Sequence, residues 1–179
     1  ILANSENQAK TSFMDLYELI NNPSDTRNKR ALLDNFNATL TEITGKRTKA
    51  VLRYNSSSKR GKDSKRTGCI IYDEKHEYTD ATNINTLRSG LGKVKYGREI
   101  TITTNGHIRG GVLDDELTQN TDILKEYNPE NRTLVFWCRI EAEDEWKDET
   151  KWIKANPSVN DFHELRAQIK KEVADMPYN

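Results

Sequence analysis

The pattern of apolar and polar positions predicts a chain that alternates between helices and strands. In several segments apolar residues recur every three or four positions, which is the spacing of a helix with one buried face. Elsewhere, β-branched and aromatic residues form short runs that are typical of buried strands. The first predicted helix follows an Asn4-Ser5 cap. The other predicted helices span 26–36, 83–91, 112–127 and 162–173. The predicted strands are 1–3, 49–54, 69–72, 99–102 and 133–140.

Two adjacent carboxylates, Asp73 and Glu74, follow the apolar run at 69–72. In an open α/β sheet, ligands bind at the carboxyl ends of the strands, and an Asp-Glu pair at that place is the Walker B arrangement of phosphate-hydrolysing enzymes. In that arrangement the first acid holds Mg²⁺, usually through water, and the second orients and deprotonates the attacking water. Two solvated acids at the end of an ordinary strand are the alternative interpretation.

The strand predicted at 99–102 also ends in polar residues, which are Thr103, Thr104 and Asn105, followed by Gly106. In NTPases of the additional-strand class, a polar residue at the end of the strand beside Walker B senses the γ-phosphate or the attacking water. A plain strand followed by an Asn-Gly turn would show the same residues without that role. The connection between the two strands is long enough for a crossover helix, which favours a parallel pair.

The composition is that of a very polar globular domain. The chain has 179 residues, enough for a sizeable core, and it contains 28 Lys plus Arg and 28 Asp plus Glu. A net charge of zero gives no overall basic field, so any contact with nucleic acid must be local. The mean hydropathy is -0.89. No apolar run approaches the ~20 residues that span a bilayer, and we therefore expect no membrane contact.

Cys69 and Cys138 both lie in apolar, strand-like runs. Their positions form no metal-ligand spacing, so we expect two buried, reduced thiols in preference to a disulfide or a zinc site. Reduced thiols, together with a sequence that shows no signal peptide, favour the cytoplasm.

Several motifs resemble, in order and spacing, those of tailed-phage large terminase subunits. Ala3 to Ala9 is similar to the family's AxSxxQA segment, and 72–78 is similar to its Walker B segment. The other matching segments are 87–92, 102–106, 144–146 and 152–157, so the resemblance covers nearly the whole chain. The resemblance implies a motor that hydrolyses ATP with Mg²⁺ and moves double-stranded DNA into a procapsid, in the cytoplasm of a bacterial host.

The resemblance also implies partners and site residues. Large terminases act as homo-oligomeric rings with a portal protein and a small terminase subunit, and their nuclease domain cleaves concatemeric DNA. By matching position, Asp73 would be the Mg²⁺-associated acid and Glu74 the catalytic base, while Thr103, Thr104 and Asn105 would form the coupling motif that senses the γ-phosphate. An arginine finger is expected just before Walker B, where Arg60 and Arg66 are candidates; a solvated basic loop is the alternative.

One departure from the family is the phosphate-binding loop. No Gly-x-x-x-x-Gly-Lys-Ser/Thr motif occurs, and Gly90-Leu91-Gly92-Lys93 lacks both the first glycine at the required offset and the hydroxyl. We therefore expect an α/β fold with a three-layer, mostly parallel sheet of the P-loop NTPase kind, truncated so that it lacks the Walker A strand. Residues 1–142 would be a partial ATPase domain, and 143–179 a helical linker toward a missing nuclease domain.

Weaker features keep other interpretations open. Asp114-Asp115-Glu116 could be imagined as part of a two-metal nuclease site, but adjacent acids on a helix point in different directions, so a solvated face is the simpler interpretation. His76 could help to position the acid pair or could be an ordinary surface histidine. As a whole, the chain could instead be a docking module that binds DNA, portal or sister subunits without hydrolysis.

Overall fold

The structure alternates helices and strands as the sequence pattern predicts. It is a computed structural model, and it describes residues 1–3, 5–22, 26–56 and 67–176. In chain order, the strands are β1 (Leu2–Ala3), β2 (Phe36–Ala38), β3 (Ile43–Gly45), β4 (Val51–Leu52), β5 (Asn55–Ser56), β6 (Cys69–Asp73) and β7 (Arg98–Ile102). The helices are α1 (Glu6–Asn21), α2 (Thr26–Asn35), α3 (Thr82–Leu91), α4 (Val112–Lys125), α5 (Trp152–Ala155) and α6 (His163–Asp175).

Two compact units make up the chain, Ile1–Thr121 and Asp122–Asn179. The first unit contains a four-stranded parallel sheet in the order β5-β1-β6-β7. Strands β6 and β7 pair along their whole length, from Cys69 opposite Arg98 to Asp73 opposite Ile102. Helix α3 lies in the connection between them, which confirms the predicted parallel crossover.

Helices cover both faces of this sheet. Successive side chains of a strand point to opposite faces, and Ile1 and Leu2 accordingly belong to different apolar clusters. Leu2 packs with β6 and with Ile84 and Leu87 of α3, whereas Ile1 packs on the side of Phe13 in α1. The predicted three-layer α/β arrangement is therefore present.

Helix α1 begins at the predicted cap. The Ser5 side chain accepts a hydrogen bond from the Gln8 backbone N–H at 3.2 Å, and the Gln8 side chain accepts one from the Ser5 N–H at 3.0 Å. This reciprocal capping box satisfies two backbone donors that the first helical turn would otherwise leave free. It also fixes the direction of α1 as it leaves β1, which decides where its later side chains lie.

A second, antiparallel sheet has the order β2-β3-β4 and flanks α1. Its buried residue Ile43 joins Phe13 and Ile20 of α1 in one apolar cluster. The strand predicted at 49–54 corresponds to β4 in this sheet, and the chain then enters the parallel sheet as β5.

The unit Asp122–Asn179 is held together around two buried residues, Trp152 and Val159. The Trp152 indole donates a hydrogen bond to the Trp146 carbonyl at 2.7 Å. Lys154 Nζ lies 2.6 Å from Glu145 Oε1 and 2.8 Å from Glu141 Oε2, which ties α5 to the chain before it.

Two expectations from the sequence are wrong. Residues 133–140 are not a strand: no described residue pairs with them, and Leu134 and Phe136 are 94% and 86% exposed. The residue pattern is that of a strand, but a strand forms only where a neighbour accepts and donates its backbone hydrogen bonds. Cys69 is a free thiol as expected but is exposed, because it lies at the first position of β6 and alternates with the inward-facing Ile70.

Candidate functional site

The acid pair lies where β6 ends, at the carboxyl edge of the parallel sheet. Asp73 is the last residue of the strand, and Glu74 adopts a left-handed conformation with φ of 49° and ψ of 52°. This conformation is uncommon for a residue with a side chain, and such outliers cluster at functional sites. The Glu74 N–H still donates to the Ile102 carbonyl at 3.0 Å, so the turn begins while the chain is attached to β7.

Helix α1 holds the Walker B segment from one side. Ser12 Oγ donates to Asp73 Oδ2 at 2.5 Å, and Gln8 Nε2 donates to Glu77 Oε2 at 2.8 Å. Gln8 and Ser12 are four residues apart and therefore lie on the same face of the helix. The helix that follows β1 thus fixes one oxygen of Asp73 and leaves the other without a bond to Ser12.

His76 lies between the ends of β6 and β7. Its Nδ1 is 3.1 Å from Glu74 Oε2 and 3.1 Å from Thr103 Oγ1, and its backbone N–H donates to the same Thr103 oxygen at 3.1 Å. Thr103 Oγ1 in turn donates to the Thr104 carbonyl at 2.9 Å. Glu74 Oε2 is buried and has no hydrogen bond of normal geometry within the described residues, so its approach to His76 Nδ1 is close without being a hydrogen bond.

A glycine makes this arrangement of His76 possible. A Cβ atom at position 106 would lie 2.1 Å from His76 Cδ2 and 2.6 Å from Cγ, far inside van der Waals contact. Gly106 is buried against the imidazole, so the turn after β7 approaches the ring as closely as a backbone can.

Comparison with known proteins decides the family. A model of the family "Terminase large subunit, ATPase domain" matches residues 1–121. The chain belongs to this family. A search of curated proteins gave no match. The fold is similar to the crystal structure of the bacteriophage HK97 large terminase, with a TM-score of 0.73 and 18% sequence identity. The match covers 98% of this chain and 36% of the HK97 chain, so the chain spans about a third of that terminase.

The family match confirms the resemblance to terminases and the expected α/β fold. Within this terminase ATPase domain, the structure brings together Asp73, Glu74 and Thr103 at one edge. Thr104 and Asn105 are exposed in the following turn, where Thr104 Oγ1 lies 3.4 Å from His76 Nδ1. Arg60 and Arg66 lie outside the described residues.

Behind the edge of this terminase sheet lies a charge network, centred on one buried lysine, that the sequence did not predict. Lys75 is 0% exposed, and its Nζ lies 2.6 Å from Glu116 Oε1 of α4 and 4.4 Å from the centre of the Tyr72 ring. Arg88 of α3 forms ion pairs with the carboxylates of Glu99 and Glu116. Of the three acids at 114–116, Glu116 is therefore not part of a solvated face.

Two tyrosine hydroxyls are buried next to this network and the acid pair. Burial raises the pKa of both Tyr72 and Tyr78 well above the usual range, and the charge of Asp73 adds to the effect at Tyr78. Neither hydroxyl has a hydrogen-bond partner within the part of the chain that the structure describes. Their rings pack edge to face with centroids 6.3 Å apart, so both tyrosines act as core residues beneath the site.

The donor chemistry at Asp73 suits Mg²⁺. The groups at the site are hard oxygen ligands, the Asp73 carboxylate and the Ser12 hydroxyl bonded to it. No cluster of three His, Cys, Asp or Glu side chains that could hold a metal occurs among the described residues. Mg²⁺ is commonly bound by one or two carboxylates together with waters and substrate phosphates, and the site fits that mode.

Gln8, Ser12 and Lys75 are site residues that the sequence pattern did not single out. Gln8 belongs to the AxSxxQA segment, which is the one signal that could have marked it. Ser12 and Lys75 show no such signal, because serine and lysine at helix and turn positions are usually solvated.

Within the described residues, no helix is long and apolar enough to cross a membrane.

Proposed function

We propose that this chain is part of a DNA-packaging motor that hydrolyses ATP to translocate double-stranded DNA into a procapsid. Its membership of the terminase ATPase family supports this, and so does one observation about its site. At the ends of β6 and β7, the Nδ1 of one side chain, His76, lies 3.1 Å from both Glu74 Oε2 and Thr103 Oγ1. A motor ATPase needs such a contact between the catalytic base and the sensor, because the hydrolysis of the nucleotide must change the conformation of the rest of the protein.

In this proposal Asp73 would hold Mg²⁺, usually through water, and the bound ion would neutralise charge on the β- and γ-phosphates. Ser12 occupies one oxygen of Asp73 and so limits the rotation of its carboxylate. Glu74 orients the attacking water and accepts its proton. The left-handed backbone conformation of Glu74 directs its side chain away from the axis of β6, so Glu74 and Asp73 can have different roles.

Thr103, Thr104 and Asn105 are the proposed coupling residues. Thr103 holds both the backbone and the ring of His76, so its displacement would change the surroundings of Glu74. The β- and γ-phosphates require a cradle, and the proposal assigns it to residues beyond this sequence, because no phosphate-binding loop motif occurs in it. Arg60 or Arg66 remains the proposed arginine finger for a neighbouring subunit.

The proposal extends to the larger assembly. The full-length protein would form a homo-oligomeric ring on the portal, receive DNA from the small terminase subunit and cleave concatemers with a nuclease domain. This would take place in the cytoplasm of the bacterial host. Residues 1–142 would be the ATPase part and 143–179 the linker to the nuclease.

Replacement of Glu74 by Gln in the full-length protein tests the proposal. Loss of the base should lower the ATPase kcat by about 10²–10⁴-fold, while binding of ATPγS with Mg²⁺, measured by calorimetry, stays within about threefold. Asp115→Asn is the matched control, since Asp115 is an exposed acid of α4. If Glu74→Gln leaves turnover unchanged, the motor assignment fails and the docking module without hydrolysis takes its place.

A further inference from the structure

We propose that His76 is a positioning residue that links the Glu74 carboxylate to the Thr103 hydroxyl. The inference rests on the proposed function and deepens it by naming the side chain through which sensor and base communicate. His76 does not touch the nucleotide in this proposal. It controls the orientation and the hydrogen bonding of the group that does the chemistry.

Three oxygens lie near the Nδ1 of His76: Glu74 Oε2 and Thr103 Oγ1 at 3.1 Å each, and Thr104 Oγ1 at 3.4 Å. Glu74 offers a carboxylate, which only accepts hydrogen bonds when ionised. Thr103 Oγ1 uses its own hydrogen toward the Thr104 carbonyl at 2.9 Å, so it also acts as an acceptor toward His76. Because the two nearest oxygens accept, the proposal places the hydrogen on Nδ1.

In the proposal this N–H is bonded to Thr103 Oγ1, while Glu74 Oε2, at the same distance of 3.1 Å, has no hydrogen bond of normal geometry within the described residues. A single donor cannot form two full hydrogen bonds, and it shifts toward the acceptor that stays when the other moves away. When Thr103 turns toward a γ-phosphate, the Nδ1–H of His76 is released to Glu74. When Thr103 returns, Glu74 loses that hydrogen bond. Thr103 thus changes the state of the base without touching it.

Gly106 prevents the imidazole from following either partner. A Cβ atom at position 106 would lie 2.1, 2.6 and 2.9 Å from Cδ2, Cγ and Cβ of His76, and the His76 side chain is only 17% exposed. The ring is clamped between this turn and Thr103, so it stays in place while the hydrogen bond shifts. A surface histidine would have neither the clamp nor the two acceptors.

The test uses steady-state ATPase kinetics of the full-length terminase large subunit with His76→Leu, His76→Asn and His76→Gln. Asparagine places its amide NH₂ near the position of Nδ1, whereas glutamine places it near Nε2. His76→Leu should lower kcat by roughly 10- to 100-fold with KM for ATP within about threefold, as expected for a misplaced catalytic group. His76→Asn should restore kcat to within about threefold of the wild type, and His76→Gln should not.

A second variant acts on the clamp. Gly106→Ala should displace the imidazole and lower kcat as His76→Leu does, and the double variant should be no worse than either single one. Thermal melting identifies variants that fail to fold. If His76→Leu fails to fold, the comparison of His76→Asn with His76→Gln still decides, because both carry the same amide at different reach.

Two results would overturn the inference: a kcat for His76→Leu equal to that of the wild type, or equal losses for Asn, Gln and Leu, which would indicate a merely structural role. The Glu74→Gln variant separates this failure from failure of the proposed function. If Glu74→Gln abolishes turnover and the His76 variants do not lower it, only the role of His76 is wrong. If Glu74→Gln itself is active, the proposed function is wrong.

Discussion

The ammonium group of Lys75 lies 2.6 Å from the Glu116 carboxylate, and the lysine side chain is fully buried. This ion pair joins the turn after the acid pair to α4, and Arg88 and Glu99 extend it to α3 and β7. These ion pairs therefore connect four elements of the first unit: the turn after the acid pair, α3, α4 and β7. Buried charges are costly unless they are paired, so the network ties the position of the site to the position of α4.

Removal of one partner should destabilise the first unit strongly. Glu116→Ala leaves the fully buried Lys75 ammonium without its closest carboxylate, and we expect a loss of about 3–5 kcal/mol in the free energy of unfolding. Urea denaturation of the purified chain measures it. Lys125→Ala is the control, since its ion pair with Asp122 is exposed and should change stability by less than about 1 kcal/mol. Equal effects of the two variants would contradict this account of the network.

Ser12→Ala should weaken the use of Mg²⁺. The hydroxyl fixes one oxygen of Asp73 at 2.5 Å, and loss of such a supporting hydrogen bond typically lowers metal affinity by roughly tenfold or more. We expect the Mg²⁺ concentration for half-maximal ATPase activity of the full-length protein to rise by about that factor. Thr11→Ala, which removes a neighbouring hydroxyl whose hydrogen bond within the described residues goes to the Asn7 carbonyl, should leave it unchanged.

Tyr72→Phe should stabilise the protein or leave its stability unchanged. The buried Tyr72 hydroxyl has no hydrogen-bond partner within the described residues, and leaving such a group unsatisfied costs about 1–3 kcal/mol. Phenylalanine keeps the ring beneath Lys75 and removes the hydroxyl. A rise in Tm is the expected result, and Tyr96→Phe at an exposed position is the control. A fall in stability would mean that the hydroxyl has a partner.

The second unit should lose stability in acid through Glu145. The hydrogen bond from Lys154 is the largest of the causes that lower its pKa to about 2 from an ordinary value of 4.5. A lowered pKa in the folded state means that the contribution of Glu145 to stability is complete above pH 4.5 and is lost as the pH falls toward 2. Tryptophan fluorescence during acid titration follows this loss.

Glu145→Gln should remove this part of the acid sensitivity, because glutamine does not titrate. The exposed neighbour Glu143 provides the comparison. Glu143→Gln should unfold in acid as the wild type does. Identical acid profiles for all three proteins would mean that the Lys154–Glu145 pair does not contribute to stability.

Much of the framework could be predicted from local pattern. The cap at Ser5, the helices that became α1, α2 and α3, and the strand before Asp73 all depend on residues close together in the chain. Such elements are predictable because helical spacing and strand alternation are local properties. The local pattern also gave a wrong prediction at 133–140, where residues typical of a strand have no partner strand among the described residues.

By itself, the sequence determined that an acid pair ends one buried strand and that hydroxyls end the next. Only the tertiary structure decided which residues join them. His76 and Thr103 are 27 residues apart and Lys75 and Glu116 are 41 apart. A histidine or lysine in a polar stretch carries no local sign of burial. Its environment is set when distant elements pack around it, because hydrogen bonds and ion pairs depend on distances in space.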